Sequence, residues 1–179
     1  MELSKHIACI CEGTAEQVVI ERLLDADKLI FTYENMLEGE VILCRGAKNF
    51  EKQYLRKDFN DKITILRILD SRHEKFNLSK AYAPKINNVI NVITAPEIEM
   101  LIIFNENKYD DYKQSKRKPS EFCKINLKYK NVKGKEFLNA YFNDVDTIIF
   151  AIKEYKRVSK IPKGEYVLAD LLKWIDAFI

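Results

Sequence analysis

The chain predicts an α/β fold with a largely parallel central sheet flanked by helices, and three observations carry that prediction. Short apolar runs rich in β-branched residues alternate with amphipathic stretches of helical period, the order expected of βα units. Two of those runs end on a carboxylate: residues 6–11 lead into Glu12, and residues 63–69 lead into Asp70. The third is composition. An apolar fraction of 47%, with five glycines and four prolines in 179 residues, suits one well-cored ordered domain rather than a linker.

In chain order, residues 5–11 read as a buried strand. Residues 14–26 follow as an amphipathic helix with Val18, Val19, Leu23 and Leu24 inward. Thr14 is its expected cap, and Gly13 gives the strand-to-helix turn freedom to bend. Residues 29–33 and 40–44 are two short strands, Gly46 closes the second, and 48–58 is a helix. The β-branched run 63–69 is a strand. Ser79 and Pro84 mark a turn or a helix start, and 88–93 is another strand. Thr94 as cap and Pro96 in a first turn then open a helix over 96–105. Beyond residue 107 the strand pattern stops. Pro119 opens a helix, and 135–142, 145–160 and 167–178 carry apolar residues three and four apart. The expected organisation is an α/β core over 1–107. A basic segment and a helical C-terminal extension, over 108–179, pack on that core.

No apolar stretch approaches the ~20 residues of a membrane span, and the amino terminus lacks a signal-peptide pattern. A cytoplasmic protein with no membrane partner is expected. Four cysteines and two histidines show neither zinc spacing nor a CxxC pair, which argues against a zinc site and a disulfide framework. Cys9 and Cys11 share one face of their strand and read as small core residues. Charge is uneven. Residues 113–135 hold nine bases (Lys113, Lys116, Arg117, Lys118, Lys124, Lys128, Lys130, Lys133 and Lys135) against the single acid Glu121. This stretch is therefore at +8 and the remainder of the chain at −5, within a net charge of +3. Such a patch is a candidate footprint for DNA or RNA, with Lys113, Lys116, Arg117, Lys118, Lys124 and Lys128 as backbone contacts; a merely solvated lysine face is the plainer account.

The acids carry the chemistry. Residues just past the carboxyl ends of strands line the ligand crevice of open α/β sheets. Glu12 and Asp70 occupy such positions and form a cage for a hard divalent cation, which takes oxygen ligands. Glu16, four residues after Glu12, joins them as a candidate catalytic acid or serves only the helix dipole. Glu97 and Glu99 follow another strand and point differently, so one of the two at most meets Glu12 and Asp70. Arg72 either pairs with an acid such as Asp70 or clamps a phosphate, the second being favoured because pairing would occupy the aspartate. His73 and Glu74 read as surface residues, and Asp70 has a plainer reading as a turn residue.

These residues resemble the Toprim domain of topoisomerases, primases, OLD-family nucleases and small phage-defence proteins. The apolar run ending in Glu12-Gly13, with Glu16 behind it, is similar to that family's first element. The Leu69-Asp70-Ser71-Arg72 stretch resembles its Asp-x-Asp element, with Arg72 where the second aspartate would stand. The segment from Thr94 to Glu99 looks like the strand-helix acid of small Toprim-like proteins encoded beside ATPases. The resemblance implies a metal-dependent nuclease or related phosphoryl-transfer protein. It implies Mg²⁺ or Mn²⁺ held by Glu12 and Asp70, with Glu97 or Glu99 completing the cage. It further implies an antiviral-defence setting with an ABC/OLD-type ATPase subunit as partner. The alternative is a catalytically degenerate Toprim-like module that binds and regulates a partner or nucleic acid.

Overall fold

The computed structural model describes residues 1–173. At its centre is an all-parallel, four-stranded sheet: β1 (His6–Cys11), β2 (Ile42–Leu43), β3 (Ile63–Leu69) and β4 (Ile86–Ile93), in the order β2-β1-β3-β4. Helix α1 (Thr14–Asp25) joins β1 to β2, and α2 (Ala47–Tyr54) joins β2 to β3. After β4 come α3 (Met100–Asn105), α4 (Tyr109–Ser115), α5 (Pro119–Ile125), α6 (Lys135–Tyr141) and α7 (Val145–Val158).

Strand alternation sends the apolar side chains to opposite faces of the sheet. Ile7, Cys9 and Cys11 of β1 face a large core shared with α1, α3 and α7, whereas Ala8 and Ile10 face a smaller one with Phe50 and Leu55. Residues beyond 107, among them Phe122, Leu138, Ile148 and Ile152, belong to the same large core as the sheet. The extension is thus built into the α/β unit, with α7 packed along α3.

One charge lies inside a strand. Arg67 of β3 is 2% exposed, and its guanidinium donates to Glu74 at 3.0 Å and Asn91 at 3.3 Å while resting over the Phe76 ring. A buried charge needs a partner and hydrogen bonds to be tolerated. Glu74, expected at the surface, supplies the partner, so the connection after β3 is pinned to the sheet.

Several local expectations are corrected. Residues 29–33 form no strand. Leu29 makes a single bridge to Leu172, and Thr32 with Asn35 closes a capping box that turns the chain into a 3₁₀ turn at Tyr33–Asn35. The helix expected from residue 96 begins at Met100. Its would-be first-turn acid, Glu97, instead accepts the Ser120 N–H at 2.8 Å from α5. Gly13, not Thr14, is the cap of α1, with an extended backbone open to any residue (φ −140°). Its use is space, since a Cβ there would stand 2.9 Å from Glu16 Oε2. Within the expected helix 167–178, Leu168–Leu171 form a 3₁₀ turn, closed as Asp170 accepts the Val167 N–H at 2.9 Å. Residues 174–178 of that expectation lie outside the described residues. Among the described residues no helix is long and apolar enough to cross a membrane.

Candidate functional site

From β1 the chain moves outward to β2, and from β3 it moves outward to β4 on the other side. The gap over the carboxyl ends of β1 and β3 is therefore the switch point of the sheet, where open α/β folds form their ligand crevice. The end of the ladder sets what lines it. Glu12 N–H donates to Ile68 O at 3.4 Å, and Thr94 N–H donates to Leu69 O at 2.9 Å. Glu12, Asp70 and the turn leading to Glu99 are thereby brought to one edge.

There Glu12, Glu16, Asp70 and Glu99 line a single cavity of about 220 Å³, together with Gly13 to Ala15, Arg45 and Lys133. Burial differs sharply among the acids. Asp70 is exposed, Glu12 is half-buried, and Glu16 and Glu99 are buried at 8% and 2% exposure. Burial pushes the Glu99 carboxyl up to about 7, aided by the charges of Glu97 and Glu16, although its own backbone N–H and Lys133 pull the other way. Burial likewise raises Glu16, and the nearby charge of Asp70 adds to the rise. Glu99 Oε1 is buried without a hydrogen-bond partner. Its nearest cation is Lys133 Nζ at 3.9 Å.

The Glu97-or-Glu99 alternative divides cleanly. Glu99 lines the cavity with Glu12 and Asp70, whereas Glu97 is held by Ser120 and by Lys133 at 3.4 Å. Burial opposes ionisation of Glu97, but these donors outweigh it and keep the carboxyl below its ordinary range. Lys133 therefore bridges the two glutamates, and their charges with that of Asp70 raise its own pKa against the effect of burial.

A second groove, of about 450 Å³, shares Asp70 with the first cavity and is lined by Ser71, Glu97, Tyr112, Lys116, Arg117 and Lys118. The basic turn between α4 and α5 thus borders the acidic crevice, although far from it in sequence. Lys124 and Lys128 are exposed, and Lys113 is paired with Asp110 at 3.0 Å. Arg72 takes the first of its two expected courses, pairing with an acid, but the acid is Glu165. It neither pairs with Asp70 nor clamps the crevice, because both its Nε and Nη2 donate to the Glu165 carboxylate, at 2.7 and 2.9 Å.

Two cations of the cavity, Arg45 and Lys133, were not singled out as crevice residues by sequence reasoning. Arg45-Gly46 directly after a short strand was the available signal for the first; Lys133 comes from a remote loop and carried none. Comparison with models of known protein families, with curated proteins and with solved structures finds no match to this chain.

The donor set suits a hard cation, since it consists of carboxylate oxygens with one buried and unpartnered. Among the described residues, however, no group of three acids, cysteines or histidines stands close enough together to hold a metal ion. Donor chemistry fits Mg²⁺ or Mn²⁺, while a closed cage requires the side chains to draw in.

Proposed function

We propose that the crevice is a metal-dependent phosphoryl-transfer site acting on nucleic acid, most simply a nuclease. One observation carries this reading: carboxylates from the ends of β1 and β3, from α1 and from the turn after β4 line one cavity at the sheet's switch point, beside a basic groove. Repulsion among these acids leaves a site that a divalent cation would relieve, and Glu12, Asp70 and Glu99 are the residues to hold it. A bound ion would neutralise phosphate charge and supply an activated water. Glu16, whose carboxyl burial raises above its ordinary range, is suited to exchange a proton with the reacting oxygens. Lys116, Arg117 and Lys118 draw the backbone of the strand along the groove.

The test is cleavage of DNA and RNA in Mg²⁺ and in Mn²⁺ by the wild type, Glu12→Ala and Asp70→Ala. Both variants should lose cleavage while keeping the wild-type circular dichroism spectrum. Equal activity in all three would remove the catalytic assignment.

Lys133 favours a second reading. An ammonium shared by Glu97 and Glu99 stands in for a cation, as in a degenerate module that binds nucleic acid or an ATPase subunit without turnover. Under that reading Mn²⁺ binding by calorimetry is undetectable in the wild type and appears in Lys133→Met.

A further inference from the structure

A crevice walled by four carboxylates repels the phosphodiester it is meant to receive, so some cation must face the substrate itself. Arg72 is occupied by its two-pronged bond to Glu165, and the Lys133 ammonium is divided between Glu97 and Glu99. Arg45 differs from both. It follows β2, is exposed, and lines the same cavity as Glu12 and Asp70. Its Nε–H donates to the backbone carbonyl of Glu12 at 3.3 Å. That anchor is a neutral acceptor, so it orients the guanidinium without consuming its charge. Among the described residues no carboxylate lies within ion-pair distance of Arg45, and its field reaches Glu16 only through space.

We propose that Arg45 is the phosphate-binding arginine of the crevice, gripping a backbone phosphate of the nucleic acid with its two terminal nitrogens beside Glu12 and Asp70. The assignment rests on the phosphoryl-transfer reading above and adds to it a cation that meets the substrate inside the crevice. The chemistry suits the residue, because a planar guanidinium fork matches two phosphate oxygens and a lysine cannot reproduce that pairing. The Nε anchor also spares part of the ordering cost, since the side chain is oriented before substrate arrives.

The experiment measures anisotropy of short labelled single-stranded DNA and RNA oligonucleotides in Ca²⁺, chosen to slow turnover. Wild type is compared with Arg45→Ala, Arg45→Lys and the triple Lys116→Gln/Arg117→Gln/Lys118→Gln. Arg45→Ala should weaken binding about tenfold and lower the salt slope by about one phosphate contact. Arg45→Lys should restore the salt slope but only part of the affinity, because the charge returns without the fork. Whichever of DNA and RNA shows the larger Arg45 effect names the substrate. Wild-type affinity and slope in Arg45→Ala, with the triple variant weakened, would overturn the Arg45 assignment while sparing the crevice reading. Wild-type protein that neither binds nor cleaves either polymer would overturn both.

Discussion

Glu99 shows how one buried atom ties the site to stability. Its carboxyl titrates near 7 in the folded protein, above the ordinary range that it would show unfolded. Between those two values the folded state holds the extra proton, so stability contributed by this group falls as pH rises through the window and is not regained above it. Glu99→Gln should therefore raise the unfolding free energy at pH 8 by up to about 3 kcal/mol, with the gain vanishing below the ordinary carboxylate range. Denaturant melts at several pH values check this, and an equal effect at all pH values would mean the carboxyl titrates alike in the folded and unfolded chain. Because a ligand must be ionised, Mn²⁺ affinity should also rise with pH through about 7. Arg72 belongs to a different category. Replacing it by Ala should cost about 1 kcal/mol through the lost Glu165 pair, part of which is exposed, and leave oligonucleotide affinity unchanged. A drop in affinity without loss of stability would return Arg72 to the substrate path.

Local elements explain why the groove is basic in one place and not throughout. Helix α4 ends at Lys116 in a left-handed conformation (φ 55°), and Pro119 starts α5 three residues later. The tight turn between them presents Lys116, Arg117 and Lys118 to the groove that contains Asp70. Replacing all three by Gln should weaken nucleic-acid binding and reduce the salt slope by up to about three phosphates, measured by anisotropy across a salt series. An unchanged slope would remove this turn from the interface. In the same way Arg67, buried in β3, binds Glu74 and lies over Phe76, both in the connection that leads away from Asp70. Arg67→Ala would strand Glu74 and loosen that connection, at a cost of roughly 3 kcal/mol. A thermal shift within error of the wild type would show the contact to be incidental.

Across the described residues the large core draws on β1, α1, α3 and α7 together, which packs the sheet and the later helices as one body. Ile152 of α7 is 1% exposed in that core. Ile152→Ala should destabilise by about 2–5 kcal/mol and shift a single unfolding transition observed by all probes. Two separate transitions would show that residues beyond 107 fold apart from the sheet. The joined core also has a functional consequence: it holds the turn carrying Lys116 to Lys118 and the loop carrying Lys133 against a crevice opened between the ends of β1 and β3.

The α/β class, the strands at 6–11 and 63–69 and the carboxylates at their ends were legible from the chain, because apolar period and strand-end position are local properties. The acids that line the crevice were legible for the same reason, save that Glu97 and Glu99 could not be separated. Their difference lies in Ser120 and Lys133, which are remote in sequence and act only once α5 and the loop before α6 have packed. The fate of Arg72 was likewise hidden, since its partner Glu165 lies 93 residues away. What Arg45 meets is decided only when β2 pairs with β1 and brings its guanidinium to the carbonyl of Glu12. Periodicity specifies which face of an element is buried. Which cation meets which acid depends on long-range packing, because charge pairing follows distance in space and leaves no periodic trace along the chain.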